Sequence, residues 1–202
     1  MFIELAEFLR CPARHGERSY CVVLPDRMEG RRIVRGSVAC PECGRDFPIV
    51  GGVVRFDPPG GAPAGRGEAG QRLAPANVSA VPPLLALAGP GGYVVLLGSV
   101  ARHVDALARD IEGVHFVGVN APSDVAPSGA LSLLTAADRI PLQSAMARGC
   151  VVSRECALEP WLGEAARLLL PGLRLVVFRE DVVTPGVEQL AKGDGMWVGA
   201  RP

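Results

Sequence analysis

Cys40-Pro41-Glu42-Cys43-Gly44 sets two thiols three residues apart with a glycine directly behind the second. That spacing lets one tight turn present two thiolates to a single ion, as in a zinc ribbon. A second half-site lies upstream at Cys11-Pro12-Ala13-Arg14-His15-Gly16. A structural zinc takes four ligands in a tetrahedron, normally thiolates and imidazoles. Cys11, Cys40 and Cys43 supply three. The fourth is His15, four residues after Cys11 in the same turn, or Cys21 on the segment that follows. The two half-sites predict a small metal-stapled β module at the N-terminus. No base accompanies them that would make the zinc catalytic. No strand-to-helix context surrounds Cys40 and Cys43 that would make them a redox pair.

Around these half-sites the chain reads as short elements. Residues 2–10 form a helix with Leu5, Phe8 and Leu9 on one stripe. Residues 19–24 and 31–38 are strands, and Phe47–Phe56 is a strand, a Gly-Gly turn and a second strand. A module over 1–57 carries nine Arg against eight acids, and the whole 202-residue chain has a formal net charge of zero. Neither figure draws the protein toward nucleic acid. Met1–Glu7 lacks a basic stretch and is interrupted by acids, which argues against a secretory signal. No apolar run is long enough to span a bilayer. The expectation is a soluble, cytoplasmic protein with no membrane insertion.

Residues 58–83 are rich in Gly and Pro and read as a linker, with a short helix at Pro83–Ala88. From Tyr93 the pattern changes. Tyr93-Val94-Val95-Leu96-Leu97 is continuously apolar, as in a strand covered on both faces. Helix-period residues follow at Val100, Val104, Leu107, Ala108 and Ile111. Further strands read at Val114–Val119, Ala130–Leu134, Cys150–Ser153 and Leu173–Phe178, with helices at Pro141–Ala147 and Pro160–Leu170 and a turn at Pro171-Gly172. Val187–Ala191 and Met196–Ala200 form an antiparallel hairpin. The fold class is α/β: a small N-terminal β module (1–57), the linker, and a doubly wound, mostly parallel sheet over 84–202 ending in an antiparallel hairpin.

Two resemblances follow. Leu9-Arg10-Cys11-Pro12 together with Cys40-Pro41-Glu42-Cys43-Gly44-Arg45-Asp46-Phe47-Pro48-Ile49-Val50-Gly51-Gly52-Val53 resembles the zinc-ribbon family of methyltransferase activators, the Trm112-like family, over about residues 5–56. Arg14 stands where that family has a second Cys, and Val54 where it usually has Pro. The first departure leaves open a ribbon that survives on packing without metal. The resemblance implies a module that precedes or binds a methyltransferase.

The second half resembles class I S-adenosylmethionine-dependent methyltransferases, most closely in Glu164-Ala165-Ala166-Arg167-Leu168-Leu169-Leu170-Pro171-Gly172-Leu173-Arg174-Leu175-Val176-Val177. The cofactor signature implied by that resemblance is missing. In Leu96-Leu97-Gly98-Ser99-Val100-Ala101-Arg102, Gly98 alone of the loop glycines is kept. Val100 and Arg102 fall where glycines let the backbone approach the cofactor, and a β-branched Val obstructs that approach. Asn120 replaces the ribose-binding acid, Ala136 the acid near the adenine, and Gly149 the Asp that often opens the fourth strand. Any residual S-adenosylmethionine site consists of Gly98, Ser99 and Asn120. Loss of the pocket residues beside an intact helix and fifth strand points to a pseudoenzyme. The expected function is a non-catalytic structural or regulatory subunit with structural zinc and no S-adenosylmethionine, docked to a larger protein partner. The alternatives are a divergent methyltransferase acting on a small molecule or RNA, and an activator subunit of another methyltransferase.

Overall fold

The computed structural model describes residues 1–13, 15, 20–57 and 73–202; Arg14, Ser19 and most of the expected linker lie outside them. A 3-10 turn at Ile3–Phe8 buries Leu5 and delivers the chain to Cys11. β1 (Val22–Glu29) and β2 (Arg32–Ala39) form an antiparallel hairpin. β3 (Asp46–Val50) returns along β2, and β4 (Val53–Arg55) along β3. Phe47 and Ile49 of β3 point inward while Asp46, Pro48 and Val50 are exposed, the period-2 pattern of a strand covered on one face. Gly51 and Gly52 close the β3–β4 turn with φ of +59° and +81°. A two-residue hairpin turn with both residues left-handed matches the twist of the strands, and glycine adopts it without strain.

β5 (Tyr93–Leu97), β6 (His115–Val119), β7 (Leu131–Thr135), β8 (Ala147–Val152) and β9 (Leu169–Val177) run parallel. Every residue of β5 and β7 is buried; the continuous apolar run of β5 implies this, whereas β7 also buries Ser132 and Thr135. β10 (Glu188–Gly193) and β11 (Met196–Ala200) form the terminal hairpin, with β11 antiparallel to β9. The two halves do not form separate sheets. Parallel pairing of Val53, Val54 and Arg55 in β4 with Leu133, Leu134 and Thr135 in β7 joins them. The result is one eleven-stranded sheet in the order β1-β2-β3-β4-β7-β6-β5-β8-β9-β11-β10.

Helices cover both faces. α1 (Pro75–Leu85) and α2 (Val104–Asp110) bury Val81, Leu85 and Leu107 against Val94, Leu96 and Phe116. On the other face α3 (Trp161–Leu168) places Ala165 and Leu168 against Val95, Leu97 and Val117. Leu5, Leu9, Ile33, Val38, Phe47 and Ile49 of the N-terminal module belong to that same apolar cluster, so one core runs through both halves. Polar contacts line the seam. Arg10 is buried and donates to the Glu7 and Leu9 carbonyls at 2.9 and 2.8 Å and to Gln143. Its guanidinium also lies over the Tyr20 ring. His115 stacks on Phe2 and bonds the Ser132 hydroxyl at 3.0 Å, and burial lowers its pKa to about 4, with the N-terminal amine acting in the same direction.

Three local expectations are corrected. The helix expected at Pro83–Ala88 is α1, beginning at Pro75 inside the stretch read as linker. Pro commonly opens a helix, which misplaces the start; here Pro82 and Pro83 sit inside it, and burial of Val78, Val81 and Leu85 offsets the lost backbone bonds. Pro141–Ala147 is no helix. Its backbone pairs with the N-terminal segment, Arg10 N–H donating to the Pro141 carbonyl at 3.0 Å and Gln143 N–H to Phe8 at 2.8 Å. The Pro171-Gly172 turn does not precede β9 but lies within it, and the register jumps from Ala147–Leu169 to Gly149–Arg174 across it.

With a shared sheet and core, thermal unfolding followed by near- and far-UV circular dichroism should show one cooperative transition. Leu9→Ala, at a fully buried seam position, should lower stability by about 2–5 kcal/mol. Separate transitions for the two halves would contradict the shared core.

Candidate functional site

The knuckle forms as its sequence dictates. Gly44 N–H donates to the Cys40 carbonyl at 2.9 Å and Cys40 N–H to the Arg45 carbonyl at 2.8 Å, with Gly44 at φ +67°. The donor atoms of Cys11, His15, Cys40 and Cys43 all lie within 4.8 Å of one another and could hold a metal ion. Cys21 is buried nearby and is not in that group. A tetrahedral ion with thiolates at about 2.3 Å sets their sulfurs about 3.8 Å apart. The Cys11 and Cys43 sulfurs are 3.8 Å apart. His15 Nε2 is buried and has no hydrogen-bond partner among the described residues, while Nδ1 lies 3.4 Å from a Glu42 carboxylate oxygen. Burial pushes the Cys11 thiol up to about 12, the Ala13 amide offsets part of this, and Cys40 and Cys43 add to it. The buried Cys11 thiol resists ionisation by itself, and a divalent cation would reverse that preference. The donor set, its spacing and the orphaned imidazole nitrogen fit a tetrahedral metal.

The second candidate region follows from sheet order. In an open α/β sheet, ligands bind beyond the carboxyl ends of the strands, where the order reverses. Here the order reverses at β5, with β6 on one side and β8 on the other. Groups of the chain itself pack at this crevice. A 3-10 turn at Arg154–Cys156 follows β8 and packs on the turn after β5. Glu155 accepts from the Ser99 amide at 2.7 Å, and the Ser153 hydroxyl accepts from the Val100 amide at 2.7 Å. Gly98 has φ +79°, and a Cβ there would meet Glu155 Oε1 at 2.7 Å and Cys156 Sγ at 2.8 Å. The retained glycine thus admits Glu155 and Cys156.

Asn120, with φ +52° and buried, donates to the Ala136 carbonyl at 2.9 Å and accepts from the Ala136 amide at 2.8 Å. It ties the ends of β6 and β7 together as a surrogate backbone amide. Arg102, where a third loop glycine was expected, grips Asp124 with contacts of 2.8, 3.0 and 3.1 Å, strapping the turn after β5 to the loop after β6.

Residues 3–52 match the family described as Trm112p-like protein. The N-terminal module is therefore Trm112p-like. Comparison with curated proteins gives no match. Among solved structures, a chain of the complex formed by the Haloferax volcanii Trm112 methyltransferase activator is 16% identical with TM-score 0.46, over 60% of this chain and 88% of that one. The antibiotic-resistance methyltransferase Kmr is 14% identical with TM-score 0.42, over 67% and 96%. An S-adenosyl-L-methionine methyl transferase from Silicibacter pomeroyi is 18% identical with TM-score 0.42, over 62% and 89%. The class I methyltransferase-like fold rests on strand order and direction, with five parallel strands and an antiparallel β11 inserted beside β9. No described helix is long and apolar enough to cross a membrane.

The structure thus brings Cys11, His15, Cys40 and Cys43 of the Trm112p-like module together and leaves Cys21 aside. Gly98 and Ser99 lie at the crevice, and Asn120 at the β6 end beside it. Sequence reasoning missed Glu42, although an acid inside a Cys-x-x-Cys turn was a readable signal. It also missed Ser153 and Glu155, whose partners lie more than fifty residues away and leave no local trace.

Two outcomes are expected. Asn120→Asp sets a carboxylate oxygen against the Ala136 carbonyl and should destabilise the fold by about 1–3 kcal/mol or more in denaturant titration. Cys11→Ser should abolish stoichiometric metal uptake measured by elemental analysis, whereas Cys21→Ser should leave it unchanged.

Proposed function

We propose that this protein is a cytoplasmic, non-catalytic methyltransferase-like subunit whose Trm112p-like module holds a structural zinc and which docks to a larger protein partner. The observation that carries the non-catalytic reading is the capping of the Ser99 and Val100 amides by Glu155 and Ser153. Those amides face the crevice where the fold would seat a cofactor, and their hydrogen bonds are already made. Asn120 is equally committed to Ala136.

Zinc is the ion best suited to three thiolates and one imidazole in tetrahedral array. Bound there, it would supply a cross-link between the chain before β1 and the β2–β3 turn. Cys11, Cys40 and Cys43 would hold it as thiolates and His15 through Nε2. A partner has two places for strand addition. The β4 edge is consumed by β7, which leaves β1 and β10 as the outer strands. β1 carries exposed Val22, Leu24 and Met28, and β10 exposed Leu190.

One observation favours a second reading, a divergent S-adenosylmethionine-dependent methyltransferase with its activator in cis. The Trm112p-like module sits directly on the edge of a methyltransferase-like sheet, and the Haloferax volcanii Trm112 is described as a methyltransferase activator. In that reading the Arg154–Cys156 turn must move to open the crevice.

Titration calorimetry of the zinc-loaded protein with S-adenosylmethionine and S-adenosylhomocysteine separates the two. The expected result is no binding heat and no thermal shift. A ligand at a hundred times its dissociation constant would stabilise the fold by about 2.7 kcal/mol, so micromolar binding would be visible by both methods and would replace the first reading by the second.

A further inference from the structure

We infer that Glu42 is a positioning residue for the metal centre and acts through His15. The inference rests on the zinc reading above and concerns how the imidazole is presented to the ion. Glu42 lies between two of the thiol donors, on a turn fixed by the Gly44–Cys40 hydrogen bond. Its carboxylate oxygen is 3.4 Å from His15 Nδ1. The other ring nitrogen, Nε2, is buried, has no hydrogen-bond partner among the described residues, and belongs to a side chain only 19% exposed.

A neutral imidazole carries one N–H and one lone pair, and either nitrogen can hold the proton. A carboxylate can only accept. With Glu42 beside Nδ1, the proton stays on Nδ1 and the lone pair is left on Nε2. A metal-bound histidine held by an outer carboxylate in this way has its tautomer and ring orientation set before the ion arrives. This chain needs such a device more than a ribbon with four thiolates would. A thiolate has no tautomer and no ring to orient, whereas His15 can present the wrong nitrogen or a protonated one. The knuckle that supplies Cys40 and Cys43 therefore also supplies the group that makes His15 a competent ligand.

The test is chelator competition for Zn²⁺ with the full-length protein, comparing wild type, Glu42→Ala, His15→Cys and the double variant. Glu42→Ala should weaken Zn²⁺ binding about 10–100-fold, the range for loss of an outer-sphere partner. In the His15→Cys background the same change should have little effect, because the group it orients is gone. Nitrogen-15 NMR of the imidazole should report Nδ1 protonation in the Zn²⁺-loaded wild type and a mixed tautomer in metal-free Glu42→Ala. Unchanged affinity in Glu42→Ala overturns the inference. So does an equal loss in both backgrounds, which would make Glu42 a general contributor to the knuckle. Wild-type protein that takes up no Zn²⁺ overturns the zinc reading itself, and this inference with it.

Discussion

Three residues of parallel backbone pairing, Val53, Val54 and Arg55 of β4 against Leu133, Leu134 and Thr135 of β7, hold the architecture together. Without β4, β7 would end the parallel sheet with a row of unpaired N–H and C=O groups, which proteins normally cover or blunt. Without β7, the Trm112p-like module would leave the β4 edge unpaired and its share of the common core uncovered. The pairing answers both problems at once. It is reinforced by the seam around Arg10, Phe2 and His115, and by a core that passes beneath the junction without a break.

That arrangement changes how the module has to be regarded. A strand that could be offered to a separate protein is already used within the chain. The outer strands of the sheet are β1 and β10, at the far ends of the eleven strands. The candidate metal site is formed by the segment before β1 and the turn between β2 and β3. An ion held there would pin that segment to the turn.

At the crevice, side chains of the protein itself bond the backbone groups at the strand ends. Where glycines would admit a cofactor, Arg102 reaches across to Asp124. Where an acid would meet a ribose, Asn120 replaces a missing piece of sheet hydrogen bonding. Where the strand-end amides would await a ligand, Glu155 and Ser153 fill the need. Buried amides demand partners, and here the chain supplies them itself. Arg102, Asn120 and the Arg154–Cys156 turn each bond a neighbouring loop or strand end in this region.

The sequence by itself determined the elements whose signal is local. Tyr93–Leu97 reads as a strand covered on both faces because nothing polar interrupts it, and β3 and β4 follow from alternating residues around Gly51-Gly52. The knuckle follows from thiol spacing and Gly44, and the terminal hairpin from Asp194-Gly195. Three of the six cysteines, Cys11, Cys40 and Cys43, form two half-sites with His15 or Cys21 as the fourth donor, and that much of the candidate metal site was legible. What only the tertiary structure decided depends on residues far apart in the chain. That His15 and not Cys21 is grouped with the other three donors depends on how the fold brings these segments together. The extended course of Pro141–Ala147 is set by Phe8 and Arg10, and the early start of α1 by the apolar face beneath it. The union of the two halves into one sheet has no local signature, because β4 and β7 are nearly eighty residues apart. Local patterns report what a segment can bury and how it can turn. Which segment it meets is settled when the whole chain satisfies its backbone groups and its core together.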